Sequence, residues 1–281
     1  MDSFVFAAVL IAAACHASWN ALIKIRLDPF LAIVLIAALA GVVSLPLLLF
    51  VPVPPLAAWP WLIASVITHT GYYIGLGAAY RSGDMGQVYP IARGSAPLLT
   101  ATATTAFVGE YLGLAGWLGI ILLAAGVLLL SLRGSRELVG LDRRAVPYAL
   151  LTAVTICAYS VVDGIGARQA GSANAYSVAL FIGTGVVMVI YALMRGGWPV
   201  LAAAGRVWGT GIAGGALQLG SYGIAIWAMT VAPIAIVAAL RETSVLFGAI
   251  IAVVVLREPL RAGRIVAALL IVAGLVLIRL Y

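Results

Sequence analysis

The chain has 281 residues, of which 64% are hydrophobic and only 9% charged, with a formal net charge of +7; its mean hydropathy is +1.18. A soluble domain of this size needs roughly a quarter of its residues charged, so the composition excludes a water-solvated surface and makes lipid the solvent. The basic residues stand singly or in pairs between apolar segments, which also excludes a nucleic-acid-binding face.

After Met1-Asp2-Ser3 the sequence is apolar at once, and that first run is too long for the apolar core of a signal peptide, so a retained span is expected. At about 20 apolar residues per span, ten segments can be drawn: 4–23, 30–50, 59–79, 85–107, 114–132, 145–167, 174–194, 208–229, 232–255 and 262–280. None shows the period-two alternation of a membrane barrel. The expected fold class is therefore an all-α integral membrane protein with ten transmembrane helices, in which each helix satisfies its own backbone. Cys15 and Cys157 lie inside apolar runs and read as small buried hydrophobes rather than a disulfide.

In chain order, the polar residues within these segments are few. His16, Trp19 and Asn20 share one face of the first span at i, i+3 and i+4. The third carries His69, Tyr72, Tyr73 and Tyr80 on one stripe, and the fourth carries Tyr89 and Arg93, the arginine bracketed by Pro90 and Pro97. Tyr159, Ser160 and Asp163 share a face of the sixth, and Gln218, Ser221, Tyr222 and Trp227 recur along the eighth. The ninth holds Arg241 and Glu242, whose i,i+1 spacing keeps them from facing each other. Ionisable groups inside a membrane are costly and generally face a cavity or a partner.

Arginine and lysine counts set the orientation. Were the N-terminus cytoplasmic, the inside would hold only Arg168 and Arg279. The opposite face would hold Lys24, Arg26, Arg81, Arg133, Arg136, Arg143, Arg144, Arg195, Arg206, Arg257, Arg261 and Arg264. The positive-inside rule therefore puts both termini outside.

Residues 80–128 align without a gap on 228–276 at a constant offset of 148. Arg93 falls on Arg241, and Glu110 on Glu258, and these rarer letters carry more weight than coincident alanines and leucines. Two repeats, 1–138 and 139–281, then hold five spans each, and an odd number inverts the second half relative to the first. Inverted repeats with a midplane site between them are a secondary-transporter architecture.

Gly109-Glu110-Tyr111-Leu112 before a tryptophan-bearing span ending in Ala-Gly-Val-Leu, with its partner Arg257-Glu258-Pro259-Leu260, resembles the EamA-type repeat. Trp19-Asn20-Ala21-Leu22-Ile23-Lys24 is similar to the end of that family's first span. The resemblance covers essentially the whole chain as two copies. It implies the drug/metabolite transporter superfamily, and within it the amino-acid exporter branch, in a bacterial inner membrane.

The expected substrate-binding set is Trp19, Asn20, His69, Tyr72, Tyr73, Tyr89, Arg93, Tyr159, Asp163, Gln218, Tyr222, Arg241 and Glu242. Guanidinium forks suit a carboxylate; an aromatic, hydrogen-bonding wall suits the rest of a small ligand. The alternative for Arg93 is a lock between helices, with Glu242 as its partner across the pseudo-axis. Asp163 is a candidate proton carrier, since a carboxyl in low dielectric can take up and release a proton; pairing with Arg168 or Arg241 is the other reading. Glu110 and Glu258 read as caps of the following spans. No catalytic or metal-binding residues and no cofactor are expected: the two histidines stand 53 positions apart, and there is no paired-acid motif or phosphate loop. Expected partners are a small-molecule substrate and the lipid bilayer, not nucleic acid, with a monomer as the working unit. The competing function is proton-coupled efflux of lipophilic cations, for which Asp163 or Glu242 would be the anchoring charge.

Overall fold

The computed structural model describes residues 1–23, 29–82, 85–132, 145–197, 208–254, 257 and 262–280, and among these no strand occurs. The helices are α1 (Ser3–Ile23), α2 (Pro29–Ser44), α3 (Trp59–Ser82), α4 (Met85–Ala103), α5 (Leu114–Leu132), α6 (Ala145–Ala170), α7 (Ala173–Gly196), α8 (Trp208–Val231), α9 (Ile234–Arg241), α10 (Ser244–Val254) and α11 (Ala262–Leu280).

Seven stretches are long and apolar enough to cross a membrane by length and composition: 3–20, 31–49, 146–170, 173–196, 209–231, 234–254 and 262–280. The three other drawn segments are helical as well. The apolar run of α5 stops at Leu130, while α3 and α4 carry the His69 and Arg93 clusters that lower their hydropathy. Large apolar side chains cover the outside of the bundle: Ile67 is 65% exposed, Leu151 63% and Leu269 63%. Such a surface is stable only against lipid. Cys15 and Cys157 are free thiols, both half-buried.

The bundle is drawn tight where side chains are smallest. A Cβ on Gly274 of α11 would stand 2.7 Å from the Gly119 carbonyl oxygen on α5, so the two backbones meet directly there. The Arg279 guanidinium donates to the Met1 carbonyl at 2.7 Å and also reaches Ser3, which brings the two ends of the chain together on one side of the bundle.

Two expected helices are not regular. The helix drawn over 85–107 ends in a wider π-type turn, Thr104–Val108, closed by Gly109 in the left-handed region (φ 74°), where a residue without Cβ is unstrained. The ninth segment is interrupted at Glu242–Thr243. There Glu242 and Thr243 donate backbone bonds to the Ala239 and Leu240 carbonyls, and the Thr243 hydroxyl donates to the Leu240 carbonyl at 2.6 Å. Broken backbone at membrane depth is tolerable only when enclosed by protein, and Glu242, Thr243 and Ser244 are all buried.

Candidate functional site

A cavity of about 60 Å³ lies within the bundle, room for several waters. His16, Trp19 and Asn20 reach it from the end of α1, His69, Tyr72 and Tyr73 from α3, and Tyr159 from α6. Gln218, Ser221 and Tyr222 enter from α8 and Arg241 from the broken end of α9; Ile33, Ile36, Leu180, Phe181 and Thr184 fill the apolar sides. Most of the spacing-based set thus converges here.

Aromatic rings build one wall. His69 lies 4.4 Å from Tyr159 and 5.2 Å from Tyr222, centroid to centroid, and Tyr72 sits edge-on to Tyr159 at 5.7 Å. His16 and Trp19 make an edge contact at 5.0 Å. The Gln218 amide donates to the Tyr73 hydroxyl, the Asn20 amide donates to the His16 carbonyl at 2.9 Å, and Ser221 pins α8 to α1 by donating to the Ala12 carbonyl at 2.7 Å. Trp227 turns away and packs on Phe4. Tyr89 lies on α4, but its side chain, like that of Tyr80, falls outside the described residues.

The two arginines take different positions. Arg93 Nε forms an ion pair with Glu242 at 2.7 Å, both side chains being nearly inaccessible. Its Nη2 donates to Ser244 Oγ at 2.9 Å and lies 3.2 Å from His16 Nε2. Neither Arg93 nor Glu242 lines the cavity. The geometry is that of a lock between α4 and the broken rod, because Arg93 has a carboxylate to satisfy it. Arg241, by contrast, lies over the Tyr222 ring at 4.4 Å, at the cavity wall. No carboxylate among the described residues approaches it within ion-pair distance.

Asp163 is fully buried behind the wall. It accepts from the Tyr176 hydroxyl at 3.1 Å and from the Tyr222 hydroxyl, and its Oδ2 stands 3.8 Å from His69 Nε2. Neither expected arginine partner is used. Arg168 instead pairs with Glu110 at 2.7 Å and donates to the Met229 and Ala232 carbonyls. Glu110 in turn accepts from the Ile234 backbone at 3.0 Å. It therefore caps α9 rather than the helix that follows it, because the left-handed Gly109 turn aims it across the bundle at an N-terminus with free donors. Glu258 lies outside the described residues.

Tyr176, Ser65, Ser244 and the α7 face of Leu180, Phe181 and Thr184 were not expected. Ser244 sits three residues beyond Arg241, a spacing that offered a signal. Tyr176 stands in the first turn of an apolar helix, and nothing in its local pattern sets it apart.

No curated protein matches the chain in sequence. A solved structure described as "Crystal structure of protein" has a TM-score of 0.74 and 18% identity to it, covering 99% of this chain and 96% of that one; the likeness is one of fold. The model of the EamA-like transporter family matches residues 3–132 and again 143–280. With both matches together spanning nearly the whole length, the chain is a multi-pass membrane protein belonging to the EamA-like transporter family of the drug/metabolite transporter superfamily.

Proposed function

We propose that the chain is a secondary transporter of small zwitterionic metabolites, amino acids foremost, exporting them across a bacterial inner membrane by alternating access. The observation that carries this reading is Arg241, a permanent cation at the wall of the cavity with no carboxylate within ion-pair distance among the described residues. A ligand carboxylate would complete it, and the fork of guanidinium donors fits that group. Tyr72, Tyr159 and Tyr222 offer ring surface to the ligand side chain, and Asn20 and Gln218 offer hydrogen bonds.

The machine is ten spans in two inverted halves, 1–138 and 139–281, with both termini outside. Reciprocity along the α5–α11 seam supports the inversion. Gly119 meets Gly274 while Gly126 meets Ala267, and Gly126 aligns with Gly274 just as Gly119 aligns with Ala267. A two-fold axis requires such exchanged contacts. The Arg168–Glu110 ion pair ties α6 to the start of α9 on the side of the termini, and in this reading it opens during export. Cation efflux is the weaker reading, since Glu242 is paired with Arg93 and Asp163 is enclosed by Tyr176 and Tyr222.

Counterflow into proteoliposomes, with a panel of neutral amino acids, aromatic amines and sugar phosphates, tests this. Neutral amino acids are expected to exchange well above empty liposomes. Exchange of amines alone would transfer the assignment to cation efflux.

A further inference from the structure

We propose that His69 and Asp163 together form a proton-binding site at the cavity wall, and that this site couples transport to protons. The coupling rests on the transporter reading; the proton site itself rests on geometry alone.

His69 Nδ1 lies 3.0 Å from the carbonyl oxygen of Ser65, one turn back on α3. The Ser65 hydroxyl, at 3.3 Å, can accept from or donate to Nδ1, but the nearer carbonyl only accepts; the hydrogen therefore belongs on Nδ1, and Nε2 of the neutral ring presents a lone pair. That lone pair faces Asp163 Oδ2 at 3.8 Å. An ionised carboxylate also only accepts. Both oxygens of Asp163 already receive hydroxyl donors, from Tyr176 and Tyr222. Two acceptors thus confront each other in a buried site, and one added proton removes the conflict. Cavity water supplies it: an N–H bond forms at Nε2, the O–H bond of a hydronium breaks, and the imidazolium is balanced by Asp163. Release runs in reverse.

The surroundings allow this exchange to matter. His69 lines the cavity, so the pair stands one side chain away from whatever the cavity admits. Facing the pair are Tyr73 on its own helix, Tyr159 from α6, Tyr176 from α7 and Tyr222 from α8. Arg241 of α9 also acts on the pair, lying on Tyr222, the ring that donates to Asp163. A ligand that engages Arg241 therefore changes the field on the proton site through a single shared tyrosine. His16 provides the contrast. Its Nε2 stands 3.2 Å from an Arg93 nitrogen, which can only donate, so that ring is satisfied when neutral.

The chain has only two histidines, so nitrogen-15 histidine NMR of the purified protein in lipid nanodiscs resolves both, with His16→Gln as the assignment. His69 is expected to show the Nδ1–H tautomer and to gain a proton at Nε2 as the pH is lowered. In Asp163→Asn it stays neutral over the same pH range. A His69 ring that never protonates, or one that titrates identically in Asp163→Asn, overturns the proposal. The coupling is read in proteoliposomes with whichever amino acid exchanges in counterflow. Measured relative to its own rate without a gradient, transport by Asp163→Asn should lose the stimulation that an imposed pH gradient gives the wild type. Wild-type counterflow without any response to the gradient overturns the coupling and leaves the transporter standing. No counterflow at all overturns the substrate reading, and the NMR arm still decides the proton site.

Discussion

The stretch around Arg93 and the stretch around Arg241 align residue for residue at an offset of 148, yet they do different work. In the first, Ala92-Arg93-Gly94-Ser95 runs through a continuous helix, and Arg93 crosses to Glu242. In the second, Leu240-Arg241-Glu242-Thr243 is where the helix breaks, and Arg241 turns to Tyr222 and the cavity. Two letters set the contacts apart: Ser244, which accepts from Arg93, aligns with Ala96, and the acid is likewise unmatched. Glu242 supplies a carboxylate to the opposite arginine, while its aligned position is Gly94, which has none to return. With the acid present at only one of the aligned positions, one arginine is held in a lock and the other faces the cavity.

The largest effect expected from breaking this comparison is on stability. Arg93→Ala leaves Glu242 buried without its ion-pair partner, a situation that costs about 3–5 kcal/mol. Thermal unfolding in detergent should show a large drop or outright loss of the folded protein. Replacing the pair together, Arg93→Met with Glu242→Met, should recover most of it, because two apolar side chains of similar size leave no charge stranded. If Arg93→Ala proved no less stable than Arg241→Ala, the division of labour between the two arginines would be wrong.

Arg241→Gln should do the reverse, keeping the unfolding midpoint close to that of the wild type while transport fails. A charge-assisted hydrogen bond is worth about 1.5–3 kcal/mol, so counterflow of a carboxylate-bearing amino acid should fall tenfold or more. The matching amine, which lacks the carboxylate, should be unaffected. Equal losses for both would mean that Arg241 shapes the cavity rather than holding an anion.

How far the sequence discloses this arrangement depends on the kind of information involved. Helical stripes are local, and the stripes of α1, α3 and α8 located His16, Trp19, His69, Tyr72, Gln218 and Tyr222, all of which line the cavity. The alignment of Arg93 with Arg241 was equally visible. Partner choice was not, because it depends on which helices meet. Glu242 was nameable as a mate for Arg93, but the Arg168–Glu110 latch joins residues 58 positions apart, and Asp163 finds Tyr176 and Tyr222 on two other helices. The break at Glu242–Thr243 carries no proline or glycine to announce it.

Gly94 offers the finest test of the asymmetry, because it ties the missing carboxylate to packing. A Cβ placed there would lie 2.2 Å from Leu128 Cγ on α5, so any side chain at 94 must displace that leucine. Gly94→Ala should therefore destabilise by about 1 kcal/mol, the low end for overpacking, since a leucine side chain has other rotamers to adopt. Leu128→Ala makes room, and the double variant should then lose less than the sum of the singles. Sub-additivity of that kind marks two residues in direct contact. Additive losses would show that position 94 is not held to glycine by Leu128, and the first half would then be free to carry an acid opposite Arg241. With Leu128→Ala in place, Gly94→Glu asks whether that acid reaches Arg241: if it does, counterflow should fall as in Arg241→Gln while the Arg93–Glu242 lock and the unfolding midpoint persist.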